Sequence, residues 1–285
     1  MPSASDYDFC MTPTQVRLPA VAGRFYPSEP EDLSREVEEY VSPAPTSAEI
    51  VENAIGCVVP HAGYTYSGHV AGAVYRRLPA RASYIILGPN HFGRGAPLAV
   101  VARGAWATPL GDALIDSALA RELIQSCHLL TEDTLAHLNE HSLEVQVPFL
   151  QHLAKDFSFV PVAIGTGGYP ALECLGHGVA KAVAEAQKRV LVIASSDMNH
   201  YESDYVTRLK DKKAIDKILE LDAAGLYEVI RREDISMCGY GPAVALLTAA
   251  KELGATKAEL IKYGTSGDVS GDRNLVVGYA GIVLS

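Results

Sequence analysis

The sequence lacks paired cysteines, clustered positive charge and long hydrophobic runs. Its five cysteines are scattered and form no CxxC pair, so we expect no disulfide framework and predict a reducing, cytoplasmic location. The N-terminal residues carry no positive region followed by an apolar one, so no secretory signal is expected. No apolar run approaches the roughly 18 residues that a membrane-spanning helix needs.

The balance of charge argues against two classes of partner. Acidic residues outnumber basic residues by 34 to 24, which gives a formal net charge of -10. Nucleic acids and anionic membranes are bound through clustered lysine and arginine, and the basic residues here form no such cluster. We therefore expect neither a nucleic-acid nor a membrane partner. The hydrophobic fraction, 48% of 285 residues, is instead typical of a compact globular protein.

Short apolar runs alternate with amphipathic stretches along the chain. The runs typical of strands are residues 55–59, 84–87, 98–102, 159–164, 190–194, 260–263 and 276–284. The stretches with helical spacing are residues 30–40, 115–126, 142–153, 171–187, 205–221 and 242–253. This alternation predicts an α/β fold with a mostly parallel central sheet flanked by helices.

A single domain is the predicted organisation. Residues 1–16 are interpreted as a disordered lead-in, and residues 17–285 as one α/β domain. Residues 42–48, rich in proline and serine, are interpreted as a surface loop within that domain. Residues 266–272 partly match a calcium-binding loop but lack its bidentate glutamate, so they are interpreted as another surface loop.

Histidines follow the predicted strands at the points where these strands end. His61 comes after the first predicted strand, His91 after the second, and Asp197 with His200 after the fifth. Parallel α/β sheets bind ligands outside the carboxyl ends of their strands. We therefore expect these side chains to surround one crevice. The alternative is that histidines occupy these positions by chance.

Two further segments offer reactive side chains. His141 precedes a predicted helix, where the alternative is a solvated histidine beside a helix cap. Cys238 lies on a glycine-rich turn before another helix, a better place for a reactive or metal-bound thiol than an apolar core. Imidazole and thiolate are donors that transition metals accept. When they come from separate loops, coordination positions stay open for a substrate.

Eight segments, taken in order, resemble the Memo family. They are RLPAVAGRFYP (17–27), PHAGYTYSG (60–68), LGPNHFG (87–93), TPLGDALID (108–116), HLNEHSLEVQVPFLQ (137–151), SSDMNHY (195–201), MCGYGP (237–242) and VVGYAG (276–281). The resemblance covers nearly the whole chain from Arg17 onward. It implies two candidate partners, an AMMECR-type protein and a radical SAM protein, beside which many microbial members are encoded as AmmeMemoRadiSam system protein B.

The resemblance also implies a fold similar to that of class III extradiol dioxygenases, with an iron or copper ion, or zinc, as cofactor. The implied metal ligands are His61, His91 and Cys238. The side chains implied to line the same pocket, as catalytic candidates, are His141, Asp197 and His200. The dioxygenases hold iron with two histidines and a carboxylate. Because Cys238 takes the position of that carboxylate, ring cleavage is not the expected activity.

Three functions fit these residues. The first is a metal-dependent oxidoreductase linked to a radical SAM system. The second is a non-catalytic adaptor module that holds a peptide or a small molecule in the same crevice. The third is a hydrolase with Cys238 as nucleophile and His200 or His141 as base. The substrate, the metal and the choice between monomer and homo-oligomer stay open.

Overall fold

The computed structural model describes residues 15–42 and 49–285. Residues 1–14 of the predicted lead-in and residues 43–48 of the predicted loop lie outside the described residues. Within the described residues, twelve strands form one sheet. They are β1 (Val16–Arg17), β2 (Gly56–Val59), β3 (Ser83–Pro89), β4 (Leu98–Val100), β5 (Ala105–Thr108), β6 (Gly111–Ile115), β7 (Thr131–Glu132), β8 (Ser158–Ile164), β9 (Val190–Ser195), β10 (His200–Glu202), β11 (Ala258–Thr265) and β12 (Val276–Leu284).

The described helices cover both faces of this sheet. They are α1 (Pro30–Val41), α2 (Tyr64–Tyr75), α3 (Ser117–Ser126), α4 (Val147–Leu153), α5 (Tyr169–Glu185), α6 (Asp204–Leu219), α7 (Ala223–Arg232), α8 (Tyr240–Glu252) and α9 (Ser266–Ser270). Two 3₁₀ turns, Leu135–His137 and Glu144–Gln146, precede α4. None of the helices in the described ranges is long and apolar enough to cross a membrane.

The centre of the sheet is parallel, which confirms the predicted fold class. The order β6-β8-β3-β9-β2 is parallel at every step, and antiparallel neighbours such as β12 lie outside it. Every residue of β3 and β9 is buried, as expected of strands covered on both faces. Alternate residues of β3 enter two cores: Ile85 packs under α3, α5 and α8, and Ile86 packs under α1, α2 and α4.

Three described helices, α2, α7 and α9, were not predicted from the apolar spacing. In α2, nine of the twelve residues are buried, so the helix has no polar face from which a helical period could be recognised. Its glycines allow this burial: a Cβ on Gly72 would lie 2.4 Å from the carbonyl oxygen of Tyr40 on α1. The predicted loop at 266–272 contains α9, whose start is closed by a capping box between Thr265 and Asp268.

Glu144 anchors the segment that precedes α1 to the body of the domain. Its buried carboxylate accepts hydrogen bonds from the Arg17 guanidinium at 2.7 Å, the amides of Ala20 and Val21, and the Tyr26 hydroxyl at 2.7 Å. Arg17 also donates to the backbone carbonyl oxygens of residues 137 and 140. The Glu144 carboxylate therefore fixes residues 17–26 beside residues 137–146, the segment that leads into α4.

Candidate metal centre

Three neighbouring strands, in the order β3-β9-β2, end at one edge of the sheet. His61 stands two residues after β2, His91 two residues after β3, and Asp197 two residues after β9. Because these strands are parallel, their carboxyl ends place the three residues at one edge of the sheet, as the sequence predicted.

Cys238 reaches the same edge of the sheet on the turn between α7 and α8. The following residue, Gly239, packs directly on the end of β9: a Cβ there would lie 2.4 Å from the carbonyl oxygen of Ser195. Its amide donates to the hydroxyl of Ser196 at 3.0 Å. A larger residue after Cys238 would push the turn away from the strand, so the glycine sets the depth of the thiol.

The three predicted ligands meet. His61, His91 and Cys238 each offer one donor atom, and these atoms all lie within 4.8 Å of one another. The Sγ atom of Cys238 is 3.1 Å from Nε2 of His61. The rings of His61 and His91 stand nearly perpendicular, with centroids 5.2 Å apart. Two imidazoles and a thiol therefore converge from three separate loops.

The hydrogen bonds of Ser195 define the tautomer of His61. Its hydroxyl donates to the carbonyl oxygen of Ser142 at 2.6 Å and accepts from the Gln146 amide at 2.9 Å. Its single proton is used there, so Nδ1 of His61, 3.0 Å away, must donate to it. Nε2 of His61 therefore carries a lone pair directed toward Cys238, the form in which imidazole binds a metal.

Glu140 orients the second imidazole, and sequence reasoning missed it. Its fully buried carboxylate accepts from Nδ1 of His91 at 2.9 Å and from the amides of His91 and Ser142. Burial alone would raise the pKa of Glu140, but the hydrogen bond from His91 and the neighbouring amide lower it to about 2. The only signal in the sequence was its place directly before His141.

His91, Glu140 and His141 form a second group of donor atoms within 4.8 Å of one another. Two histidines and a carboxylate would suit iron. However, Glu140 already binds Nδ1 of His91, and its oxygens accept from two backbone amides. The free nitrogen of His91 is then Nε2, which belongs to the first group. The first group is therefore the better candidate for an ion.

The three catalytic candidates surround this cluster in different ways. His141 stacks on His91, with ring centroids 4.7 Å apart, and lies 5.6 Å from the His61 ring. The Asp197 carboxylate accepts from the amide of His61 at 2.7 Å and of Ala62 at 3.3 Å. Nδ1 of His200 donates to the carbonyl oxygen of residue 236 at 2.9 Å. Asp197 thus holds the loop of His61. Nδ1 of His141 lies 3.5 Å from the Glu140 carboxylate, and the available nitrogen of His200 is Nε2, since Nδ1 is the donor to residue 236.

Burial disfavours the charged forms of two of the proposed ligands, His61 and Cys238. It lowers the pKa of His61 to about 3, with a further contribution from nearby His91, and lowers that of His141 to about 4. Burial, with the adjacent Asp197 carboxylate, raises the pKa of the Cys238 thiol well above its usual value. The neutral imidazole of His61 is ready to bind a cation, and a bound cation would stabilise the thiolate of Cys238. The donor set therefore fits a transition-metal ion.

The directions of the pKa shifts of Cys238 and His61 argue against a cysteine hydrolase. The base beside Cys238 is His61, rather than His200 or His141 as that hypothesis assumed. A cysteine nucleophile needs a lowered thiol pKa and an imidazole that accepts its proton. Here the thiol pKa is raised and that of His61 is lowered, so the thiolate and imidazolium pair is disfavoured.

Asn199 connects the His200 loop to the turn that carries Cys238. Its side-chain oxygen accepts from the amide and the hydroxyl of Ser236, both at 3.1 Å. The backbone N–H of Asn199 donates to the buried Asp211 carboxylate at 2.8 Å, and this carboxylate also accepts from the Tyr263 hydroxyl at 2.7 Å. Two loops of the crevice are therefore held by one buried polar network.

Asp211 should make stability depend on pH. Burial raises its pKa to about 7, so the folded state binds a proton more tightly than the unfolded chain does. The stabilisation is complete below the unfolded pKa of about 4 and is lost as the pH rises through about 7. We expect the free energy of unfolding, measured with urea, to fall over this range relative to that of Asp211→Asn. Parallel curves for the two proteins would contradict this assignment.

Comparisons with known proteins agree with this fold. The family model described as Memo-like protein matches residues 17–283. A MEMO1 family protein of Methanopyrus kandleri is 43% identical over an alignment of 278 residues that covers 94% of this chain and 98% of the relative. A MEMO1 family protein of Methanosarcina barkeri is 45% identical over an alignment of 271 residues that covers 94% of this chain and 100% of the relative. The solved structure of an uncharacterised Escherichia coli K12 protein is similar in fold alone, with a TM-score of 0.51, 14% identity and coverage of 78% of this chain and 98% of that one.

Proposed function

This chain belongs to the Memo-like protein family, and from that premise we propose that it binds one iron or copper ion and uses it in redox chemistry on a small molecule. The ligands of the proposal are His61, His91 and Cys238. The observation that carries it is the meeting of their donor atoms within 4.8 Å of one another. Two nitrogens and one sulfur suit copper, iron or zinc and leave coordination positions open.

The residues around the three proposed ligands support the binding of a metal ion. Ser195 accepts a hydrogen bond from Nδ1 of His61, and Glu140 accepts one from Nδ1 of His91. Such bonds orient metal-bound histidines in proteins. A bound iron or copper ion would supply one-electron chemistry. In this proposal His141 and His200 move protons at their free ring nitrogens, while Asp197 holds the His61 loop in place.

Glu140→Gln should weaken metal binding without removing a ligand. The amide cannot hold Nδ1–H of His91 as a carboxylate does, and its NH₂ group would face the amides that now donate to it. We expect the dissociation constant of the ion to rise by about 10–100-fold, measured by competition with a chelator. Exposed Glu228→Gln on α7 is the matched control. An unchanged affinity in the Glu140 variant would contradict the orienting role.

The experiment that tests the proposal is reconstitution of the metal-free chain with Fe(II), Cu(I) or Zn(II). We expect one copper or iron ion per chain, bound tightly enough that zinc does not displace it. We also expect dioxygen uptake in the presence of a reductant. Failure of every ion to bind in stoichiometric amount would overturn the proposal.

An adaptor module is the alternative function. Exposed aromatic side chains stand next to site residues: Phe92 is 53% exposed beside His91, and Tyr201 is 73% exposed beside His200. Such rings suit contact with a peptide or a small molecule. A ligand that binds equally well before and after removal of the ion, with no dioxygen uptake, would favour this function.

Partners and location complete the proposal. We propose that the chain acts with AMMECR-type and radical SAM proteins, an idea supported by family membership alone. A cytoplasmic location is supported by the free thiols of the four described cysteines, Cys57, Cys127, Cys174 and Cys238. Co-purification of tagged full-length chain with these two protein classes, from cells that encode them, would test the first part.

A further inference from the structure

Two cysteines outside the metal centre face each other. Cys127 directly follows the last residue of α3, and Cys174 lies in the second turn of α5. Their Sγ atoms are 3.9 Å apart, and both thiols are free. This separation is a van der Waals contact between sulfurs, so the two thiols are neighbours with no side chain between them.

The surroundings of the two thiols differ. Cys127 is fully buried in the core under α3 and α5, whereas Cys174 is half-buried. Nδ1 of His128 lies 3.9 Å from Sγ of Cys174. Cys174 is therefore accessible to a small solute and lies beside an imidazole that can accept its proton. Cys127 lies deeper, in the core.

The ends of the two helices that carry this pair approach closely. On α5, one turn after Cys174, Gly178 faces Cys127, and a Cβ there would lie 2.7 Å from the Cys127 Cβ. The glycine therefore allows the end of α3 to approach α5 closely. A disulfide needs the sulfurs to move from this contact to about 2.05 Å.

From this geometry we propose that Cys174 and Cys127 form a peroxide-oxidisable dithiol, with Cys174 as the attacking thiol, Cys127 as the resolving thiol and His128 as the local base. Such a site follows the pattern of an accessible cysteine beside a second one that resolves its oxidised form.

The chemistry balances with hydrogen peroxide as the oxidant. His128 takes the proton of Cys174, and the thiolate attacks one peroxide oxygen. An S–O bond forms, the O–O bond breaks, and the second oxygen leaves as water with the proton from His128. The sulfur of Cys127 then attacks the sulfenic sulfur of Cys174: the S–S bond forms, the S–O bond breaks, and the hydroxyl leaves as water with the proton of Cys127. Two thiols and one peroxide give one disulfide and two waters.

The test is oxidation of the reduced, metal-free full-length chain with hydrogen peroxide, followed by alkylation and peptide mass spectrometry. We expect a cross-linked peptide pair containing Cys127 and Cys174, with both thiols lost to alkylation together and recovered by a reductant. In Cys127→Ser the reaction should stop at a sulfenic acid on Cys174 that dimedone traps. In Cys174→Ser, whose altered residue is half-buried, Cys127 should stay reduced.

Two further variants separate this site from its neighbours. Cys238→Ser removes the thiol of the metal centre and should form the disulfide as fast as the unaltered chain. His128→Gln should slow the loss of the Cys174 thiol several-fold. Disulfides of Cys174 with Cys10, Cys238 or a second chain, or a Cys174 that is oxidised while Cys127 stays alkylatable, would overturn the proposal.

Discussion

Cys238→Ser is expected to weaken binding of the ion by more than about 100-fold. Loss of a residue that only hydrogen-bonds to a ligand already lowers metal affinity by about 10–100-fold, and this variant removes a ligand itself. Serine keeps the size of the side chain and its place on the turn but offers a hydroxyl that stays protonated, in place of a thiolate. The other two donors, on His61 and His91, would remain. Competition with a chelator measures the change, and any thiolate-to-metal absorption band should disappear with it.

The control for this variant is Cys174→Ser, which removes a half-buried thiol outside the metal centre. It should bind the ion with unchanged affinity. His91→Ala should resemble Cys238→Ser, because it also removes a ligand. Metal content that is unchanged in both His91→Ala and Cys238→Ser would show that the ion lies elsewhere.

Glu144→Gln should destabilise the fold by about 3–5 kcal/mol, the usual effect of breaking a buried ion pair by removal of one partner. The variant leaves the Arg17 guanidinium, itself 9% exposed, without its carboxylate. It also turns an amide NH₂ toward groups that all donate: Arg17, the amides of Ala20 and Val21, and the Tyr26 hydroxyl. The free energy of unfolding from urea titration measures the loss.

Exposed Glu132→Gln is the matched control for that variant. Its carboxylate is 44% exposed and lies 3.4 Å from Arg103, which is itself 80% exposed. Surface pairs of this kind contribute about 0–1 kcal/mol. We therefore expect a change within about 0.5 kcal/mol. Equal effects of the two substitutions would contradict the anchoring role of Glu144.

The strand ends were predictable because the parallel strands are apolar throughout. The runs before His61 and His91 stop where a polar side chain begins, and that change is visible in the sequence. The helix α2 was not predictable in this way, since it is buried on nearly all sides and shows no period. Its existence depends on a close approach to α1 at Gly72, a contact between residues far apart in the chain.

Parts of the site depend on such distant contacts as well. Glu140 stands beside His141 in the sequence, yet its carboxylate belongs to His91, 49 residues away. The direction of the His61 lone pair depends on Ser195, Ser142 and Gln146 together. Cys238 was ranked as a ligand through the family resemblance, because a single cysteine on a glycine-rich turn does not reveal which histidines it meets.

Anomalous scattering from crystals of the metal-loaded chain would show whether one ion lies between His61, His91 and Cys238. Data collected on both sides of the iron and copper absorption edges identify the ion and its position. We expect one peak, about 2.0–2.3 Å from Nε2 of His61, Nε2 of His91 and Sγ of Cys238. A peak beside Glu140 and His141 instead, or a fully loaded chain with no peak near Cys238, would contradict it.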